Sequence, residues 1–268
     1  MKVGLAGFGN VGKELTRRLN AGALREVELV AVCARDLEKA KAEAQTFTPP
    51  PRVVDLKDLP ALCDVVIECA TADSFPQIAR AVLCAGKFLI CISAAGVPNC
   101  PELLEMARVH GGRVRIASGT MPGLDIIRCA AEGTIRSVRL ETRVKPESMA
   151  RERYVLDRGF DFANHPPSKP VKVFAGTASE AAASFPRHFN VAVSLSLAGI
   201  GFERTSVEVW VDPGVPGAIH HVEVDGEEVS LSMTSRNRPS ANPRTSRIVA
   251  LSIIAALRSL NAPLTVGS

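Results

Sequence analysis

Between residue 1 and about residue 120, short apolar runs rich in β-branched side chains (2–7, 27–33, 65–69, 87–92 and 113–117) alternate with stretches whose apolar positions recur at helical spacing (11–19, 37–44, 74–85 and 101–110). Strands separated by helices predict parallel strands joined by crossover connections, and hence a doubly wound sheet. After Gly119 the texture changes. Longer alternating runs at 137–144, 171–174, 206–211, 219–224 and 228–233 predict an antiparallel sheet with one solvated face, interrupted by helices at 178–184 and 190–197. The last helical stretch, 246–260, carries Ile248, Leu251, Ile254, Ala255 and Leu257, an apolar content that predicts tight packing. The pattern therefore reads as an α/β protein, with a doubly wound domain over 1–120 and an α+β domain over 121–240. The proline-containing segments 151–170 and 235–243 read as loops, the first suited to covering an active-site cleft. No internal repeat or low-complexity segment interrupts the pattern.

Composition narrows the classes. At 268 residues, with 46% hydrophobic and 22% charged positions, the chain has enough aliphatic surface for two cores and too many scattered charges for a membrane span. The net charge of +4 arises from 32 basic and 28 acidic residues without a block of like sign. That argues against nucleic acid as a partner and suits a small anion such as a dinucleotide or a dicarboxylate. All seven cysteines (Cys33, Cys63, Cys69, Cys84, Cys91, Cys100 and Cys129) fall in the first half. An odd number of thiols, mostly inside apolar runs, reads as a reduced cytoplasmic protein; with no tight CxxC pair and only His110 in that half, no metal site is expected. Lys2 is followed at once by a strand-like run ending in glycines, which is not the pattern of a cleavable signal.

Gly7, Gly9 and Gly12 form a GxGxxG spacing between the first strand and the first helix. In that context Gly7 permits a tight turn, Gly9 lets backbone approach a pyrophosphate, and Gly12 allows helix and strand to pack closely. Asn10 and Val11 complete the set at the helix mouth, where free N–H groups and the positive dipole end favour phosphate. The first 120 residues thus read as a Rossmann domain binding NAD or NADP. At the end of the second strand, Val32-Cys33-Ala34-Arg35-Asp36 places alanine where an acid normally holds the ribose hydroxyl. With Arg35 beside it, a 2′-phosphate is accommodated, so NADP is expected to be accepted at least as well as NAD. Asp36 serves as that acid if the strand ends later, or as a helix N-cap if it does not.

Three further segments carry a resemblance: Ala117 through Asp125, reading ASGTMPGLD; Phe185-Pro186 with Asn190-Val191-Ala192 and the run Leu195 to Gly201; and Asn242 through Arg247, reading NPRTSR. Together they resemble the L-aspartate dehydrogenase family over nearly the full length. The resemblance implies oxidation of L-aspartate to iminoaspartate with NAD or NADP, the imine hydrolysing to oxaloacetate and ammonia, and a pathway role in pyridine nucleotide biosynthesis. It also implies nicotinamide contacts at Pro122 and Asn190, a catalytic histidine at His220, a homodimer, and a C-terminal helix (within 241–268) returning to the nucleotide domain. Two positions depart from the family: Pro122 stands where alanine is usual, and Ala218 stands where asparagine is usual. A contact through the residue 122 carbonyl survives the first change, since proline keeps its C=O. The second removes a polar neighbour of the histidine.

Amine oxidation requires the free base of the substrate, and a group titrating near neutrality serves both to deprotonate the ammonium and to activate water on the imine. His220 and His221 are adjacent in an alternating strand and face opposite ways; the resemblance selects His220. Asn190 begins a helix, where capping is its alternative role. Arg143, Lys145, Arg244 and the turn at Ser93 to Gly96 are candidates for the substrate carboxylates, each equally readable as a solvated charge or a structural turn. Two rival functions fit the architecture: a homoserine dehydrogenase or dihydrodipicolinate reductase relative, and a nucleotide-binding sensor without chemistry.

Overall fold

The first buried aliphatic run, Lys2–Ala6, is strand β1 of the computed structural model, which describes residues 1–185, 189–238 and 246–267. Helix α1 (Asn10–Asn20) follows and buries Val11, Leu15 and Leu19, one stripe at four-residue spacing. Strand β2 is Glu28–Cys33, and α2 (Leu37–Ala44) starts where Asp36 Oδ1 accepts the Lys39 N–H at 3.0 Å. Then come β3 (Arg52–Val53), α3 (Leu59–Leu62), β4 (Val65–Glu68), α4 (Phe75–Leu83), β5 (Phe88–Cys91), α5 (Leu103–His110) and β6 (Arg113–Ile116). Glycine at 111, with φ +70°, ends α5 in the left-handed conformation that a side chain would resist.

The later elements are α6 (Leu124–Ala131), β7 (Ile135–Val144), the single turns α7 (Pro146–Met149) and α8 (Arg153–Leu156), β8 (Val171–Thr177), α9 (Ala178–Ser184), α10 (Asn190–Ala198), β9 (Thr205–Val211), β10 (Ile219–Gly226), β11 (Ser230–Arg236) and α11 (Ile248–Asn261). A reciprocal Thr177 and Glu180 capping box starts α9.

Two units result, one of Met1–Gly119 with Val249–Thr265, the other built on Thr120–Ile248. In the first, a six-stranded parallel sheet runs in the order β3-β2-β1-β4-β5-β6. The order reverses between β1 and β4, and such a switch point leaves a crevice beyond the strands' carboxyl ends. Ala6 at the end of β1 pairs with Cys33 of β2 and Glu68 of β4, which brings three strand termini to one edge. Helix α11 joins this core: Ala250, Ile253, Ile254 and Leu257 pack in the cluster that holds Val3, Leu5 and Leu15. Burying each large aliphatic side chain stabilises by about 1.5–3 kcal/mol.

The second unit contains a five-stranded sheet in the order β11-β10-β7-β9-β8. It is mixed, not antiparallel as the alternation suggested, because β7 and β9 run parallel. Between them the chain makes β8, α9 and α10 and so returns in its starting direction, the long crossover that a parallel pair requires. On β7, Val138, Leu140, Thr142 and Val144 are buried while Arg139, Glu141 and Arg143 alternate onto the other face. There Arg139 pairs with Glu208 at 3.3 Å and Glu223 at 3.1 Å, and the Arg143 guanidinium lies over Trp210. The buried face carries Phe174 of β8, and Phe185 and Phe189, at the ends of α9 and α10, join the same core.

The periodicity also missed α6, which starts directly after Gly123, and the segment 151–170 is less loop-like than expected. It contains α8, and Val155 and Phe162 are buried in the second unit's core. Of the loop expected at 235–243, Ser235 and Arg236 belong to β11, and 239–243 lie outside the described residues.

Candidate active site

The glycine corner follows from three local constraints. Gly7 has φ +114°, and a Cβ there would sit 2.6 Å from the Cys69 carbonyl carbon and oxygen, so the backbone leaving β4 walls the turn from behind. A Cβ on Gly12 would fall on the Gly7 carbonyl oxygen, so only glycine lets α1 start this close to β1. By contrast, nothing lies within 4 Å of the Cβ position of Gly9. The approach to the backbone is therefore open there and closed at its two neighbours. Gly9 precedes α1, with Asn10 exposed and Val11 buried at the helix mouth, and the first helical hydrogen bond runs from Lys13 N–H to the Gly9 carbonyl.

Strand β2 ends at Cys33, and Asp36 caps α2 through the Lys39 N–H, so the aspartate fills its helix-end role. Ala34 is half-buried and Arg35 exposed, with no ion pair among the described residues. The small residue and the free guanidinium stand adjacent.

Glu68 is a residue that sequence reasoning passed over. At the end of β4 its carboxylate is completely buried and accepts four hydrogen bonds: from Ala70 N–H (2.7 Å), Ile92 N–H (3.3 Å), Ser93 N–H (3.0 Å) and Ser93 Oγ (2.9 Å). Burial raises its pKa, and these donors oppose the rise. Its strand-end position within an apolar run was the available signal. Of the Ser93 to Gly96 turn, the Ser93 N–H and hydroxyl are thus already engaged by a carboxylate of the chain itself.

In the second unit, Pro122 is half-buried and precedes Gly123, which has φ +66° and lies against Met233 of β11. Asn190 is the first residue inside α10, with Phe189 at the N-cap, so it is not the capping residue. His220 sits on the buried face of β10, paired across the sheet with Thr142 and Ser235. Its Nδ1 lies 3.2 Å from Thr142 Oγ1. Burial without an opposing charge pushes its pKa down to about 4. The expectation of a group titrating near neutrality is thus corrected: the ring is a neutral imidazole at pH 7. His221 faces the other way, bonded to Thr234 Oγ1 at 2.8 Å.

The Ala218 carbonyl accepts both the main-chain and side-chain N–H of Asn237, at 2.9 Å each, so a carboxamide does stand next to the position where the family carries asparagine. Arg143 is engaged by Glu141 and Asp212 on the face opposite His220, which removes it as a substrate ligand on the histidine side. Pro186, His188 and the segment 242–245, including Arg244, lie outside the described residues.

A parallel sheet in the order 3-2-1-4-5-6, with a glycine corner open at its middle residue, defines a Rossmann-type dinucleotide-binding protein. Residues 7–117 match the family model for the homoserine dehydrogenase NAD binding domain, and residues 125–260 match that for the aspartate dehydrogenase C-terminal domain. The chain belongs to the L-aspartate dehydrogenase family, a family of pyridine-nucleotide oxidoreductases. It is 37% identical over 268 residues to the L-aspartate dehydrogenase of Bradyrhizobium diazoefficiens, covering 100% of this chain and 94% of that one. It is 39% identical over 266 residues to L-aspartate dehydrogenase 3 of Bordetella bronchiseptica, covering 99% and 97%. The crystal structure of an aspartate dehydrogenase from Thermotoga maritima superposes with a TM-score of 0.76 at 24% identity, over 100% of this chain and 99% of that one, a likeness of fold.

Proposed function

We propose that this chain oxidises L-aspartate to iminoaspartate with NAD or NADP, the imine then hydrolysing to oxaloacetate and ammonia. The observation that carries this reading is the end-to-end match to curated L-aspartate dehydrogenases, joined to a glycine corner whose only open backbone face is at Gly9. The corner fits a pyrophosphate: Gly7, Gly9 and Gly12 with the N–H groups around Asn10 and Val11 would hold it. Arg35 would pair with a 2′-phosphate, so NADP is accepted at least as well as NAD. The resemblance assigns the nicotinamide contacts to Pro122, through its carbonyl, and to Asn190. The nicotinamide supplies the hydride acceptor for the Cα–H bond of aspartate.

In this reading Nε2 of His220 takes a proton from the substrate ammonium, releases it to solvent, and, neutral again, takes a proton from the water that attacks the imine carbon. Burial keeps the ring neutral at working pH, with a lone pair open to a proton, and makes it a weaker base than an ordinary histidine. Residues 1–120 with a helix from 241–268 form the nucleotide domain, and 121–240 the substrate and dimerisation domain of a cytoplasmic homodimer. Formation of reduced coenzyme, followed with a panel of amino acids and both coenzymes, tests the proposal. L-Aspartate is expected to be the only good substrate; faster turnover of homoserine or another amino acid, or binding without turnover, overturns it.

A further inference from the structure

The side chain that hydrogen-bonds the His220 ring is Thr142. The two residues are register partners on adjacent central strands, both point to the buried face, and both are nearly inaccessible to solvent. Their hydrogen bond, Oγ1 to Nδ1 at 3.2 Å, is the bond that each side chain makes among the described residues. Their neighbours on this face, Leu140 and Val144 on β7 and Val222 on β10, offer neither donor nor acceptor in their side chains, and the hydroxyl of Ser235, the partner of His220 on β11, makes no hydrogen bond to the ring.

We propose that Thr142 is a positioning residue: its hydroxyl accepts Nδ1–H of His220, which fixes the ring and reserves Nε2 as the nitrogen that exchanges protons. The inference rests on the reading of His220 as the proton-transfer group. A neutral imidazole carries one proton, and the nitrogen without it is the base. If Nδ1 held the lone pair, it would be spent on a buried hydroxyl and Nε2–H could not take a proton from an ammonium. In both the neutral base and the protonated ring Nδ1 carries hydrogen, so a hydroxyl that accepts there serves every stage of a proton cycle without reorganising. A hydroxyl, unlike a carboxylate, adds no charge to stabilise the imidazolium. The pair therefore orients the ring while leaving it a weak base that releases its proton readily.

The tautomer can be read directly and does not depend on activity. In uniformly ¹⁵N-labelled protein at pH 7, with His220 assigned by comparison with His220→Gln, the two ring nitrogens have distinct shifts for protonated and bare states. The expected result is a protonated Nδ1 and a bare Nε2; a protonated Nε2 overturns the proposal even if His220 proves essential. Thr142→Val is expected to lower kcat roughly 10- to 100-fold with KM for the coenzyme unchanged, and Thr142→Ser to recover most of it. Equal loss in the Val and Ser variants would show a packing role instead and would also overturn the proposal. If His220→Gln retains full turnover while the tautomer is as expected, the reading of His220 as the proton-transfer group fails and the ring orientation by Thr142 stands.

Discussion

Glu68 and Ser93 form a buried pair in which a carboxylate receives both the main-chain N–H and the hydroxyl of one residue, at 3.0 and 2.9 Å. The pair ties the end of β4 to the turn after β5. Cys69, next in chain, donates its thiol to the Gly7 carbonyl at 3.0 Å, so the tie also supports the back wall of the glycine corner. Glu68→Gln keeps the shape but presents an NH₂ to backbone N–H donors that need an acceptor. A loss of about 1–3 kcal/mol in urea unfolding is expected, because a buried donor is left unmade. Ser93→Ala should cost less, and the double variant should fall short of the sum, since the two act through shared bonds. Strict additivity would mean that the pair does not act as a unit.

The glycine corner predicts a separation of stability from binding. Gly12→Ala forces a methyl onto the Gly7 carbonyl, and overpacking of this kind costs about 1–3 kcal/mol. Gly9→Ala meets no atom of the chain, so its Tm should match that of the parent protein. Coenzyme affinity should nonetheless fall at least about tenfold, since the added methyl occupies the open approach to the backbone. Calorimetric titration with NADH and NADPH beside a thermal melt measures both. Unchanged affinity in Gly9→Ala would place the dinucleotide elsewhere.

These two cases also mark what could be read from residues alone. The parallel half was legible in five of its six strands because short β-rich runs alternate with stretches of helical spacing, and the corner because its spacing sits between a strand and a helix; β3, two residues long, gave no pattern to read. Helix α6 was not legible, since Gly123 and Pro122 directly before it look like a loop. The parallel pairing of β7 with β9 was hidden because alternation reports which face is wet and says nothing of strand direction. Glu68 escaped notice as one acid inside an apolar run, and the engagement of Arg143 by Glu141 and Asp212 depends on pairing across strands. His220 stood out only through the resemblance, and its depressed pKa follows from burial that a sequence does not display.

The proposed contact of Arg35 with a 2′-phosphate carries a prediction about coenzyme choice. Strand β2 ends at Cys33, Asp36 is committed to capping α2, and Ala34 leaves room beside an exposed guanidinium. Arg35→Ala is expected to weaken NADPH binding about 10- to 100-fold, the scale of a charge-assisted hydrogen bond, with little change for NADH. Ala34→Asp should act in the same direction by repelling the 2′-phosphate and should strengthen NADH binding through the ribose hydroxyl. Parallel losses for both coenzymes in Arg35→Ala would argue against a 2′-phosphate contact.

The burial of His220 has a consequence for acid stability that is independent of catalysis. Its folded pKa of about 4 lies below the ordinary histidine value of 6.5, so between those values the unfolded chain binds a proton that the folded chain refuses. Proton uptake then draws the equilibrium toward the unfolded state as pH falls. The contribution is complete above about pH 6.5 and is lost progressively down to about pH 4, amounting to about 3 kcal/mol for a shift of this size. His220→Gln has no proton to gain, and urea unfolding of this variant at pH 4.5 and 7 should show a smaller drop in stability than the parent protein. An equal drop in the two proteins would mean that the ring is hydrated and protonated in the folded state, and would remove the neutral imidazole from the proposed mechanism as well.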